Sequence, residues 1–369
     1  MHRRRCYQGR YVKRGLFSMK ERVMVAMSGG VDSAVAAYLL KEQGFDVEGV
    51  TMCLGVTSLD TGKVRCCGPR EVEDAKAVSQ FLGIGHNVLD FSYEMKRFVI
   101  DPFIREYSSG RTPNPCIECN RHVKFGTLLE LAHSLGFDYL ATGHYAGIEK
   151  ANHGYRLMVP KDTRKDQTYF LSRMPRQSLH RVLFPLVNLS KDQVRQIAVS
   201  EKLPSATKPE SQDICFIPKG TTEKYLREHL SSLPGDILDH DGNVIGTHRG
   251  SAFYTIGQRA RLSMSGGKTL YVITKDIAQN TIVVGERVRL VAHGLMAGNV
   301  NLLSDNLPQK ASAKIRYTHV PARCSVILEN TRMTILFDEP QEAVTPGQTV
   351  ALYADRNVLG SGIIQEAIA

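Results

Sequence analysis

Ala26-Met-Ser-Gly-Gly-Val-Asp-Ser33 follows a short apolar run, Val23 to Val25, and precedes an apolar-periodic segment containing Val35, Ala36, Tyr38, Leu39 and Leu40. A strand, a tight glycine turn and a helix start read directly from that order. Gly29 and Gly30 let the backbone come close to a ligand, and Ser28 and Ser33 supply hydroxyl donors. The helix N-terminus behind them favours an anion. The stretch reads as a phosphate cradle. No G-x-x-x-x-G-K-[ST] pattern occurs in the chain, so it is not a Walker A loop.

Outward from this cradle, Val47 to Met52 reads as a second strand, with a helix from Asp32 to Gln43 between the two. Such a βαβ unit implies a parallel pair. Val72 to Leu82, Met95 to Tyr107 and Val123 to Leu135 are helix-like; His86 to Leu89 and Tyr139 to Thr142 are strand-like. The alternation predicts an α/β fold, a Rossmann-like open parallel sheet with helices on both faces. Ligands in such sheets gather at the carboxyl ends of the strands, where Ser28 to Ser33, Met52 and Gly143-His144 all fall.

From about Lys165 the texture changes, with a helix expected at Asp192 to Glu201. After Leu233-Pro-Gly the pattern turns to short strands, beginning with a hairpin over 236–246 with Asp-Gly at its turn. Thr269 to Lys275 and Thr281 to Val284 suggest a second hairpin. Strands are expected at Lys314 to Tyr317, Ser325 to Leu328, Met333 to Phe337 and Thr349 to Tyr353, with turns at Gly347 and Gly360. These divisions give a basic extension (1–20), a catalytic domain (21–220) with an inserted helical part near 165–200, a small β-rich central domain (221–288) and a C-terminal β-barrel domain (289–369).

The formal charge of +10 is concentrated at the start. Arg3, Arg4, Arg5, Arg10, Lys13, Arg14 and Lys20 meet no acidic residue before Glu21, and the remaining basic and acidic residues nearly balance. Global charge therefore says little about nucleic acid, and local patches must carry that case. The basic start reads as a transit segment, an RNA-binding arm or a start misassigned ahead of Met19. No apolar run is long enough to span a membrane. Eight cysteines without a secretion signal point to a reducing, cytoplasmic setting, where clustered thiols bind metal or do chemistry. Cys6, Cys53 and Cys324 stand alone, Cys66-Cys67 are adjacent, and Cys116 and Cys119 form Cys-Ile-Glu-Cys in an expected loop.

Ser28-Gly-Gly-Val-Asp-Ser33 resembles the PP-loop of ATP pyrophosphatases, which cleave ATP between its α- and β-phosphates. Further motifs stand in order along the chain. They are Gly110-Arg-Thr-Pro-Asn-Pro115 with Cys119-Asn and Lys124-Phe-Gly126, Ala141-Thr-Gly-His-Tyr-Ala146, Lys165 to Leu171, Glu210-Ser-Gln-Asp-Ile-Cys-Phe-Ile-Pro-Lys-Gly220 and Tyr254-Thr-Ile-Gly-Gln-Arg259. With these the chain resembles the tRNA-specific 2-thiouridylases from about Arg22 to its end.

That resemblance implies ATP-dependent replacement of the 2-oxygen of the wobble uridine of tRNA by sulfur, releasing AMP and pyrophosphate. A carbonyl oxygen leaves poorly; adenylation turns it into AMP. Ala26, Met27, Ser28, Gly29, Gly30, Val31, Asp32 and Ser33 would hold ATP, with Met52 and Gly143 at the adenine and ribose and Asp32 on the Mg²⁺ side. By the same correspondence Cys215 carries a persulfide received from a sulfur-relay donor protein. Cys119 is the nucleophile that releases the sulfur by disulfide formation, which requires the segment 210–220 to fold back over the Cys-x-x-Cys. Such thiols need nearby cations, for which Arg111, His122 and Lys124 are candidates. Asn114, Pro115 and Cys116 would face the target base; Lys165, Asp166, Gln167, Arg316 and Tyr317 would contact tRNA.

Many members have Asp where this chain has Cys116. Cys116, Cys119 and Cys215 together offer three soft ligands, a set that suits a [4Fe–4S] cluster and leaves a second route to the same product. Zinc is a rival, with His122 or Cys66/Cys67 completing a site. Two other classes compete at this stage: another PP-loop synthetase, which would need neither Cys119 nor Cys215, and a non-catalytic tRNA- or metal-binding protein.

Overall fold

The strand Arg22–Ala26 is the middle of a five-stranded parallel sheet. Asp46–Cys53 and then Gly85–Asp90 lie on one side of it, Tyr139–Thr142 and Val182–Leu183 on the other. In this computed structural model the described residues are 20–57, 64–65, 69–152, 154–210, 214–217, 220–230, 233–260 and 269–369. The basic start up to Met19, Cys6, the Cys66-Cys67 pair and residues 211–213 and 218–219 lie outside them.

Side chains alternate across a strand, and the sheet uses both faces. Val23 and Val25 pack with the helices Val31–Glu42, Pro69–Leu82 and Lys191–Ser200. Met24 points the other way, into a cluster with Met95, Phe103, Val123, Phe125 and Leu128. Helices thus cover both faces, as the alternating pattern predicts. The switch of direction comes at the first strand, and the cradle opens at its carboxyl end.

The Cys-x-x-Cys differs from expectation. It is helical, not a loop: Pro115–Glu118 forms the first turn, Cys119–Leu128 is a π-helical segment, and Leu129–Ser134 closes as α-helix. Asn114 starts it by accepting the backbone N–H of Cys116 at 3.2 Å, and Pro115 sits where a missing N–H costs nothing.

The central sheet carries Gly235–Leu238 and Val244–His248 as the expected hairpin, then Leu270–Asp276 paired with Thr281–Gly285. Among the described residues its core is Ile237, Val272, Ile282 and Val284 with a few half-buried neighbours.

The C-terminal strands close on themselves. Val291–Leu302, Arg332–Glu342, Ala322–Glu329, Lys310–Lys314, Thr349–Ala354 and Asn357–Ile368 pair in that order, and the last pairs back with the first. The strand expected at Lys314 to Tyr317 lies earlier, and Arg316 and Tyr317 fall in the turn beyond it. Gly360 is not a turn but sits inside the last strand, where a Cβ would meet the carbonyl oxygen of Asn301. A hairpin absent from the sequence reading, Gly147–Ala151 with Gly154–Met158, joins the barrel sheet through Met158 and Asn357.

Candidate active site

The cradle is built by backbone. Gly29 has φ +70°, and a Cβ there would lie 2.6 Å from the carbonyl oxygen of Glu71. Only glycine meets both demands. Ser33 Oγ accepts the N–H of Ser28 at 3.3 Å and donates to the carbonyl of Gly30 at 3.1 Å, which ties the loop to the helix start. Met27 is buried; its carbonyl accepts from Thr51 Oγ1 at 2.9 Å, so it belongs to the floor. Gly143 closes the opposite wall, where a Cβ would stand 2.7 Å from Ser33 N and from Asp32 C. Ala26 and Met52 are partly buried at the strand ends and pack against the second core cluster.

Asp32 is not a free carboxylate. Lys191 Nζ lies 2.7 and 2.8 Å from its two oxygens, and Tyr145 Oη donates to Oδ1 at 2.8 Å. Burial and the Asp32 charge beside it raise the Tyr145 phenol, so it stays a donor. Lys191 also pairs with Glu210 at 3.1 Å, and Lys165 reaches the same carboxylate at 2.8 Å. The hydrogen bond from Lys165, with the charges of Lys191 and Lys165, holds Glu210 down at about 2. Tyr145 and Glu210 lie in motifs that the sequence marks without giving them a role, and Lys191 lies in none of those motifs. The signal available for Lys191 was its place in the first turn of a helix.

The thiols form a second centre. Ile214 to Ile217 folds back: Phe216 packs edge-on to Phe103 at 5.5 Å and shares the core cluster that holds Cys119. Cys215 lies close enough to Cys119 and Cys116 to feel both charges. The wide i→i+5 repeat of the π segment carries Lys124 to the side of Cys119. Lys124 is the cation that acts on Cys116, Cys119, Cys215 and His144 alike.

Two of the cations expected beside the thiols are engaged elsewhere. Arg111 pairs with Glu106 at 2.7 Å; His122 stacks on Phe98 and pairs with Glu118 at 3.3 Å. Nor are the thiols poised as thiolates. Burial outweighs Lys124 and raises Cys116 and Cys119, and it pushes Cys215 up to about 12. Cys116, Cys119 and Cys215 are free thiols. Among the described residues no three of His, Cys, Asp and Glu are grouped to hold a metal ion.

The remaining predicted residues are divided between the catalytic domain and the barrel. Tyr317 stacks on Phe170 at 4.5 Å, with Lys314 over its ring at 5.4 Å, which bridges the barrel to the catalytic domain. Asp166 and Lys165 stand near enough to act on the Tyr317 phenol. Gln167 is committed: its side-chain oxygen accepts the Tyr145 N–H at 2.8 Å. Asp166 caps Thr168, and Arg316 donates to the carbonyl of Glu342 at 3.1 Å. Asn114 and Pro115 border a cavity of about 550 Å³ between the catalytic domain and the barrel.

A parallel sheet with a glycine cradle at its switch point, followed by two β domains, defines a HUP-type nucleotide-binding protein with appended barrels. Residues 21–219 match the family described as tRNA methyl transferase HUP domain. Residues 223–286 match the tRNA methyl transferase PRC-barrel domain, and 292–364 the aminomethyltransferase beta-barrel domain. The chain is 50% identical over 351 residues to a tRNA-specific 2-thiouridylase of Syntrophus aciditrophicus (strain SB), covering 95% of this chain and 94% of that protein. To the tRNA-specific 2-thiouridylase of Pelobacter propionicus it is 45% identical, covering 94% of this chain and 98% of the relative. For that of Caldicellulosiruptor saccharolyticus the identity is 43%, over 95% of this chain and all of the relative. The chain belongs to the tRNA-specific 2-thiouridylase family.

Proposed function

We propose that this protein uses ATP to replace the 2-oxygen of the wobble uridine (position 34) of tRNA by sulfur, through a persulfide on Cys215. The observation that carries the reading is the meeting of Cys215 with Cys119 and Cys116 beside Lys124, in a chain that also keeps an intact PP-loop.

ATP lies on the cradle, with Ser28, the loop N–H groups and the helix N-terminus toward its phosphates. Met52 and Gly143 border the nucleoside. Asp32 suits Mg²⁺, which takes one or two carboxylates and completes its shell with phosphates and water, and which would neutralise charge on the pyrophosphate. The uridine O2 attacks the α-phosphorus and pyrophosphate leaves. A base stacked in an anticodon cannot reach such a crevice, so the uridine enters flipped out beside Asn114, Pro115 and Cys116. Lys165, Asp166, Gln167, Arg316 and Tyr317 hold the tRNA, with Tyr317 as the stacking group.

The outer sulfur of the Cys215 persulfide, supplied by a sulfur-relay donor protein, attacks C2 and AMP departs. Cys119 Sγ then attacks the Cys215 sulfur. The sulfur–sulfur bond to the base breaks, the electron pair goes to the 2-thio group, and a Cys119–Cys215 disulfide remains for an external thiol to reduce. Lys124 offsets the charge on whichever sulfur is ionised. Cys116 stands beside the base as a third thiol and does not enter the sulfur transfer.

An anaerobic assay on an unmodified tRNA transcript, with ATP, Mg²⁺ and a persulfide donor, tests the reading. Metal-free protein is expected to form 2-thiouridine with stoichiometric AMP. Thiolation by iron–sulfur-reconstituted protein alone would overturn the persulfide route.

A further inference from the structure

We propose that Lys191 is a catalytic residue of the adenylation step, the cation that binds a β- or γ-phosphate oxygen of ATP and stabilises the departing pyrophosphate. The inference rests on the use of ATP at the cradle.

The Lys191 side chain is only 8% exposed, and its ammonium bonds both oxygens of Asp32, the second residue of the helix behind the cradle. An ammonium so enclosed is costly unless paired, and an apolar residue serves packing as well or better. The surroundings nevertheless fix this lysine with care. Ser190 caps its helix in a reciprocal box with Gln193, and Asp162 accepts the Lys191 backbone N–H at 3.1 Å. The side chain is thereby aimed across to the first helix, at the wall that Gly143 and Tyr145 complete.

Two carboxylates, Asp32 and Glu210, face the one ammonium. An ammonium has three N–H donors, which the two Asp32 oxygens and Glu210 engage here, so a phosphate oxygen would be met by exchanging one of these contacts. A triphosphate on the cradle would bring several negative charges up to Asp32, and Lys191 is the buried cation already beside that carboxylate. In the step itself the uridine O2 forms a bond to the α-phosphorus, the bridging oxygen takes the electron pair, and pyrophosphate leaves. Lys191 donates a hydrogen bond to it and keeps its proton throughout.

The test compares ATP with AMP, which lacks the β- and γ-phosphates. Equilibrium dialysis with each nucleotide is run on the full chain and on Lys191→Met, Lys191→Gln and Lys191→Arg, alongside pyrophosphate release with a tRNA transcript. Removing the ammonium should weaken ATP about 10- to 100-fold, the range for a hydrogen bond to a charged group, and leave AMP within about twofold. Lys191→Arg should recover most of the ATP affinity. Equal losses for ATP and AMP would make Lys191 a strut that shapes the cradle and overturn the inference. The ratio remains readable should Lys191→Met lower stability, and Lys191→Gln, which keeps polarity, repeats it. Failure of the unaltered chain to bind either nucleotide would overturn the ATP reading itself, a result distinct from the first.

Discussion

Alkylation of Cys215 across pH tests whether the resting site keeps its sulfur protonated. An ordinary cysteine ionises near 8.5, so a few per cent is thiolate at neutral pH. Burial pushes Cys215 up to about 12, with the Cys119 and Cys116 charges adding to the rise and Lys124 opposing it. Taken in full, that gap of roughly 3.5 pH units corresponds to about three-thousandfold less thiolate at neutral pH. The residue as a whole is exposed, so solvent screens part of the effect, and about a hundredfold is the expected slowing. The assay is iodoacetamide labelling of the tRNA-free, nucleotide-free chain between pH 6 and 10, read by mass spectrometry of the Cys215 peptide against a small free thiol. The rate should climb about tenfold per pH unit without levelling off before pH 9. Lys124→Met removes the opposing cation and should slow labelling further. A plateau below pH 8, or faster labelling in Lys124→Met, would refute the reasoning.

Gly143→Ala would put a methyl 2.7 Å from the backbone of Asp32 and Ser33, which cannot move aside without shifting the helix start. It should weaken ATP at least tenfold in dialysis and lower stability by about 1–3 kcal/mol in thermal unfolding; unchanged ATP affinity would show that the wall yields. Tyr317→Ala removes the ring stacked on Phe170 and should weaken tRNA by about tenfold in filter binding, with ATP affinity preserved. Equal tRNA affinity would remove Tyr317 from the interface. For Glu210 the folded value is depressed, so its ion pairs contribute stability above the ordinary carboxylate range and lose it as pH falls through about 2. A carboxyl NMR titration should therefore show Glu210 still ionised at pH 4, and a midpoint near 4.3 would contradict the pairing with Lys165 and Lys191.

The cradle, the parallel sheet and the family were legible from residues 26–33 and the motifs that follow, because each is a short pattern whose geometry is set by its own neighbours. Strand alternation at Val23 to Val25 and the helix that begins at Val31 need no distant information. The central hairpin, announced by Asp241-Gly242, is of the same kind. Local reading failed where two signals competed. Asn114 and Pro115 together are a helix start as well as a turn signal, and the start won because the helix buries Ile117, Cys119 and Val123 in the core. The end of the Lys310–Lys314 strand, read three residues late, follows pairing with Ala322–Glu329 and not propensity.

Tertiary structure alone decided the pairing of Lys191 with Asp32, 159 positions away, and of Tyr145 with the same carboxylate across 113. It also decided which cation serves the thiols. Sequence offered Arg111, His122 and Lys124 as equals, whereas Glu106 and Glu118 claim the first two and the π repeat turns the third toward Cys119. The protonation of those thiols was beyond sequence for the same reason. It depends on how much protein surrounds each sulfur, and that is fixed only when the chain around 214–217 packs back onto the helix of Cys116 and Cys119. Sequence determines what a short stretch can become; desolvation and ion pairing between distant stretches exist only once the fold has brought them together.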